Sequence, residues 1–353
     1  MTYQQLQEQA FTANERRSKQ FDKIMLMNYN RAQAEIFSEM ERIYAKVLLG
    51  VKPENYYVTM LNYDRLNKLL KQTSQIFNQY ANRAGVTVTE MATQSMAEAF
   101  YRQQYSIAWV APVTFSTIDP KLVELSVTGT AEAWAEIARK KKVMGVAMNA
   151  QTIKKYQPQY GTITDLLKRN KVDDLAKIQQ TITQGFIQGL GINKVERNIR
   201  KVFDTSKSKA ERIARTEFNR VANAGNYAAT QYADSQGVKI ERMWLATLDL
   251  HTRSSHAALD GQKVGVDEPF QTEVGEVMYP GQSGFPEFDI NCRCTVVDLP
   301  GGVEPSLRRG RKIEIVDGKM EEVKGQSEVF NFKKYDQWLQ ENGVNPKNYK
   351  ITE

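Results

Sequence analysis

All of the histidines and cysteines of this chain fall within one 44-residue window. Its only two histidines, His251 and His256, lie in "DLHTRSSHAALDG", and its only two cysteines, Cys292 and Cys294, lie in "NCRC". Two imidazoles and two thiols form a familiar tetrahedral zinc set. On a strand, residues two apart share a face, so both sulfurs can approach one ion if the cysteines sit in one. His251 and His256 must then be brought to them by the fold. Zinc held in this way ties down a glycine-rich segment that has few long apolar runs. The same residue types also suit a plainer role, as small buried thiols and hydrogen-bonded imidazoles of a core. Separated by one residue, with no third thiol in the chain, the cysteines are expected to be reduced or ligating rather than disulfide-bonded.

Catalysis needs more than these groups. Asp249, His256 and Asp260 are the types that orient an imidazole or activate a metal-bound water, which defines a zinc-dependent hydrolase as the enzymatic alternative. No nucleophile elbow G-x-S-x-G, no H-E-x-x-H and no phosphate-cradling G-x-x-x-x-G-K-[ST] accompanies them. The expectation is therefore a non-enzyme with no catalytic residues. Arg215 and Arg253 are expected to pair with Glu217 and Asp249 in a buried polar network.

The elements that must position these residues change character along the chain. Sixteen of 21 glycines lie beyond residue 184 and six of ten prolines beyond residue 268, so the front reads as helical and the back as strand and loop. Met25, Tyr29, Ala32, Ile36, Met40, Ile43 and Val47 recur at helical spacing and predict a helix over 21–47, ended by Gly50 and Pro53. The same pattern predicts helices over 61–83, 89–108, 120–143 and 162–188. Capping boxes in "NKVE" (Asn193, Glu196) and "SKAE" (Ser208, Glu211) predict two further starts, the second helix running to Ser235 with Gly237 as its stop. "VKIERMWLA" then alternates as a strand, a loop-rich tract spans Gly261–Asp289, "CRCTVVDL" is a short strand, and "IEIVDGKMEEV" is a hairpin turning at Asp317 and Gly318. The predicted class is α+β, a helical N-terminal half followed by a smaller loop-rich α+β domain. The expected division is 1–180, 181–300 and a 301–353 hairpin and tail.

Charge narrows the partners. Lys and Arg outnumber Asp and Glu by 48 to 41, a net +7, which favours an anionic partner. Lys194, Arg197, Arg200 and Lys201, and the cluster Arg308, Arg309, Arg311 and Lys312, are the candidate contacts to double-stranded DNA without sequence specificity. Arg139–Lys142 reads instead as cations at a helix C-terminus, which the dipole favours. "TITQGFIQGLGINKVERNIRKVF" also invites a helix-turn-helix reading, a DNA-binding regulator being the second alternative. A signal peptide and a membrane span are not expected: no stretch approaches 18 apolar residues.

Several quoted pieces together resemble a known family. "AERIARTEFNRVANAGNYAA" (210–229), "MWLATLDLHTRSSHAALDGQKV" (243–264), "YPGQSGFPE" (279–287) and "INCRC" (290–294) resemble, in that order, the signature of the phage head morphogenesis proteins, minor head proteins named after protein F of phage Mu. The matching positions are Arg215, Glu217, Trp244, Asp249, Arg253, His256, Asp260, Gly261, Asn291, Cys292, Arg293 and Cys294; His251 departs from the pattern. The resemblance implies a virion component inside the phage head, present in the host cytoplasm during assembly. It further implies association with the portal, with scaffold or major capsid protein and with packaged DNA, and a role in head morphogenesis and in genome packaging or delivery. The family is not established as an enzyme.

Overall fold

A computed structural model describes residues 3–159, 161–317 and 319–343; Gly318 of the expected turn and residues 344–353 of the expected tail lie outside the described residues. Along the chain come α1 (Tyr3–Lys46), α2 (Tyr56–Leu61), α3 (Arg65–Ala108), α4 (Pro120–Thr128), α5 (Ala131–Lys140), β1 (Lys142–Val143), β2 (Val146–Ala147), α6 (Ala150–Lys154), α7 (Ile163–Ile187) and α8 (Ile192–Ser235). The rear holds β3 (Ile240–Leu245), α9 (Ser254–Ala258), β4 (Lys263–Gly265), β5 (Phe270–Thr272), β6 (Gly275–Val277), α10 (Pro286–Asp289), β7 (Thr295–Pro300), β8 (Leu307–Val316), β9 (Lys319–Asn331) and α11 (Tyr335–Glu341). This is the expected α+β class, helical in front with small antiparallel sheets behind.

The helices are fewer and longer at two places, and more broken at a third, than the spacing predicts. Helix α3 runs straight through Gly85–Val88, where two helices are expected. Its β-branched residues are accommodated because Thr87 and Thr89 donate their hydroxyls to Arg83 and Gly85 carbonyls one turn back, while Ala84 and Val88 stay on the buried face. Helix α8 is likewise unbroken at Ser208, which is no cap: its Oγ donates to the Asp204 carbonyl, a bond made in a helix interior. Conversely, the expected helix 120–143 is two. Gly129 closes α4 in the left-handed conformation with φ 58°, and Thr130 caps α5 by accepting from the Ala133 N–H.

The chain packs as two compact units, both discontinuous in sequence because the residues of α1, α3 and α8 are divided between them. One comprises Ser18–Met91 and Gly161–Ala214 and is entirely helical. Its core is the stripe read from α1, with Met25 through Ile43 buried and Val47 half-buried. Tyr29, Phe77 and Phe203 meet edge to face with centroids 5.8–6.3 Å apart, each contact worth about 1 kcal/mol beyond its buried area. Met27, on the same helix but off this stripe, is exposed.

The other unit, Met1–Arg17, Ala92–Tyr160 and Arg215–Glu353, holds every sheet among the described residues. Here Gly225 lets the α8 backbone approach that of α3: a Cβ at this position would stand 2.3 Å from the Met96 carbonyl oxygen. Strand β3 pairs antiparallel with β7, from Ile240 opposite Pro300 to Leu245 opposite Thr295, and with β4 on its other edge. The β8–β9 hairpin is longer than its sequence core suggests, and Gly310 bridges to Leu248.

Candidate functional site

The structure brings three of the four soft ligands together. His256 lies on the five-residue α9, and Cys292 and Cys294 in the turn before β7 rather than on the strand itself. Asn291 takes the left-handed conformation there, φ 59°, so shared strand facing is not what aligns the sulfurs. His256 Nδ1 is 3.2 Å from Cys294 Sγ and 3.6 Å from Cys292 Sγ, and all three side chains are buried. The fourth expected ligand is absent from the cluster. His251 is 75% exposed and turns its Nε2 towards Glu322, because the Asp249 carboxylate accepts its backbone N–H at the start of an open turn.

Two anchors hold the ligand-bearing segments. Arg253, at the start of α9, donates its guanidinium to the carbonyls of Phe288 and Ile290, which fixes α9 against the turn carrying Cys292. From α8, Thr216 accepts the Asn291 N–H, and Asn219 and Asn223 both donate to the Cys294 carbonyl. Trp244, Leu259, Phe270, Val277, Phe288 and Val296 close an apolar shell around the thiols, with the Phe288 ring 4.3 Å from that of His256.

Electrostatics separates the two sulfurs. Burial opposes ionisation of Cys294, but hydrogen bonds from Cys292 and His256, the charge of His256 and the nearby Trp244 indole outweigh it and bring the thiol down to about 5. Cys292 moves the other way, because it donates to Cys294 and is itself desolvated. Asp289 is raised by burial, although the Ser283 and Gly284 N–H groups donate to it.

The expected polar network exists with different partners. Asp249 is fully buried and pairs with Arg293, not Arg253; it also accepts from the His251 N–H and the Thr252 hydroxyl. Glu217 pairs with Arg220, one helical turn away, while Arg215 is exposed. Residue type shows who can pair, whereas the 3.6-residue turn of α8 puts position 220 beside 217 on the buried face and leaves 215 on the other.

Arg308 is a second correction. Expected on a DNA-facing patch, it is only 4% exposed in its side chain and forms a bidentate pair with Asp260, with bonds of 2.5 and 2.7 Å. Asp260 also accepts the N–H groups of Ala246 and Tyr335, so one carboxylate joins the residue after β3 to β8 and α11. Arg309 is half-buried against Ser327, and Lys312 pairs with Glu314 at 2.9 Å. Arg311 is half-buried. By contrast Lys194, Arg197, Arg200 and Lys201 are all exposed on α8, with Arg200 over the Phe37 ring.

Sequence reasoning missed Arg220, Arg242 and the trio Thr216, Asn219 and Asn223. Arg242 is buried between the rings of Tyr227 and Phe270 and donates to the carbonyls of Gly265, Met278 and Glu268. A signal was present in α8, where polar residues at 216, 219, 220 and 223 recur at helical spacing within a face rich in alanine.

Residues 176–297 match the family described as Phage Mu protein F like protein. Among curated proteins, the minor head protein GP7 of Bacillus phage SPP1 is 33% identical over 178 residues, covering 50% of this chain and 54% of that one. The NAD(+)--arginine ADP-ribosyltransferase EFV of Enterococcus faecalis is 34% identical over 180 residues, covering 50% of this chain and 34% of the relative. The chain thus spans between a third and about half of the length of these two relatives. No solved structure matches. Residues 176–297 are thus similar to the Phage Mu protein F like family, and about half of the chain is similar in sequence to a phage minor head protein.

Proposed function

We propose that the chain is a minor head protein of a tailed phage, an internal component of the head that acts in its morphogenesis and in genome packaging or delivery. The observation that carries this reading is the use made of the motif residues. Asp249, Asp260, Arg253 and Glu217 are each held by internal bonds, and His256, Cys292 and Cys294 are buried behind apolar side chains. Such residues build a domain; they do not face a substrate. The ADP-ribosyltransferase activity in one relative's name is a property of a protein of which this chain matches only a third. The absence of catalysis is accordingly part of the proposal.

Packaged DNA is the partner that the charge suits. Lys194, Arg197 and Lys201 are exposed at spacings of three and four along α8, and no carboxylate pairs with them among the described residues. Clustered cations of this kind bind any duplex by releasing counterions. The portal protein, with scaffold or major capsid protein beside it, is the proposed protein partner. Leu49, Val58, Leu61 and Tyr63, exposed apolar residues in and around α2, suit such a contact. No helix among the described residues is long and apolar enough to cross a membrane.

The helix-turn-helix alternative has the expected turn, with Gly189 at φ 60° between α7 and α8. However, Val195, Ile199 and Phe203 of the second helix are buried in its own unit. Titration of two unrelated duplexes at several salt concentrations tests the proposal. Equal affinities that fall steeply with salt are expected; a strong preference for one sequence, or no binding at low salt, counts against it. Incubation with NAD and an arginine acceptor should give no transfer, and sustained turnover would replace the structural reading with an enzymatic one.

A further inference from the structure

We propose that His256, Cys292 and Cys294 hold one soft divalent cation, zinc being the natural occupant, through Nδ1 and the two sulfurs. These three ligand atoms all lie within 4.8 Å of one another. With bonds of about 2.0–2.1 Å to nitrogen and 2.3 Å to sulfur, a tetrahedral ion separates its N and S ligands by about 3.5 Å. The two N–S distances found, 3.2 and 3.6 Å, lie on either side of that figure. The donors are therefore spaced for an ion rather than dispersed in a core.

The site is built before any ion arrives. Arg253 fixes the α9 side and Asn219 and Asn223 the Cys294 side, each by bonds to backbone carbonyls that a metal leaves intact. Two sulfurs and an imidazole form a donor set that prefers zinc to magnesium or calcium. His256 Nε2 is buried without a hydrogen-bond partner among the described residues. Only Nδ1 faces the two sulfurs, so it is the ring nitrogen placed to ligate. His251, by the same geometry, takes no part.

The test is metal analysis of the untagged full chain, purified without chelator from zinc-replete cells. About one equivalent of zinc is expected, retained in full by His251→Ala and lost from Cys294→Ser and Cys292→Ser. Because those two variants can fail to fold, the wild-type chain is also exchanged into cobalt. Sulfur-to-cobalt charge-transfer bands and intense visible bands of tetrahedral cobalt are expected. Folded wild-type protein with under about a tenth of an equivalent of zinc and no cobalt bands overturns the proposal. So does a folded Cys294→Ser chain that keeps its zinc, or a folded His251→Ala chain that loses it.

Discussion

Replacing Arg308 by alanine separates the structural role found here from the DNA contact that composition suggests. In the native chain the Asp260 carboxylate, 2% exposed, is met by both guanidinium nitrogens and by two backbone N–H groups. The same guanidinium also donates to the carbonyls of Ala246 and Lys333. Arg308→Ala removes one member of a buried pair and leaves the other charged and desolvated, a loss of about 3–5 kcal/mol. In a unit of this size, each kcal/mol lowers Tm by about 2–4 °C, so a fall on the order of 6–20 °C is expected by calorimetry or circular dichroism. Arg308→Lys should recover less than half, because an ammonium cannot form the bidentate fork. DNA affinity, measured well below the melting transition, should be unchanged. A Tm within about 2 °C of wild type together with weakened DNA binding would refute the reasoning, since an exposed cation behaves in that way.

Three further outcomes follow from the same structure. Replacing Lys194, Arg197 and Lys201 together by alanine should flatten the salt dependence of DNA binding by about 2.7 in slope if each contacts one phosphate; an unchanged slope assigns the contact elsewhere. Burial raises Asp298 to about 6 against the hydrogen bonds from Thr230 and Gln103, so the folded state binds this proton more tightly than the unfolded chain does. Its stabilising contribution is complete below about pH 4 and is lost as pH rises through about 6, on the order of 3 kcal/mol. The stability difference between wild type and Asp298→Asn, followed by urea titration from pH 4 to 7, should decline across that window, and a flat difference contradicts the assignment. Gly225→Ala should destabilise by about 2 kcal/mol or more, because its methyl group meets a backbone carbonyl that cannot turn aside; a neutral effect on urea midpoint would show that α3 and α8 separate freely there.

The α1 stripe, the strand β3 and the β8–β9 hairpin were legible because periodicity and turn chemistry act over a few residues. Helix continuity was not. Ser208 and Glu211 have the types and spacing of a capping box, yet the alternative bond from Ser208 to Asp204 inside a helix has the same local signature. At the candidate site, the proximity of His256, Cys292 and Cys294 was legible from their clustering in sequence, and the separation of His251 was not, because its exposure depends on how Asp249 folds the turn around it. Pairing was the least legible level. Arg293 and Arg308 reach Asp249 and Asp260 from 44 and 48 residues away, distances at which charge and type leave many arginines equally eligible.

An internal minor head protein must be found inside the capsid. Heads of the phage encoding this chain, treated externally with protease and nuclease and then quantified by mass spectrometry, should contain it intact and in far fewer copies than the major capsid protein. Heads that lack it, or that lose all of it to the external protease, would contradict an internal minor head protein.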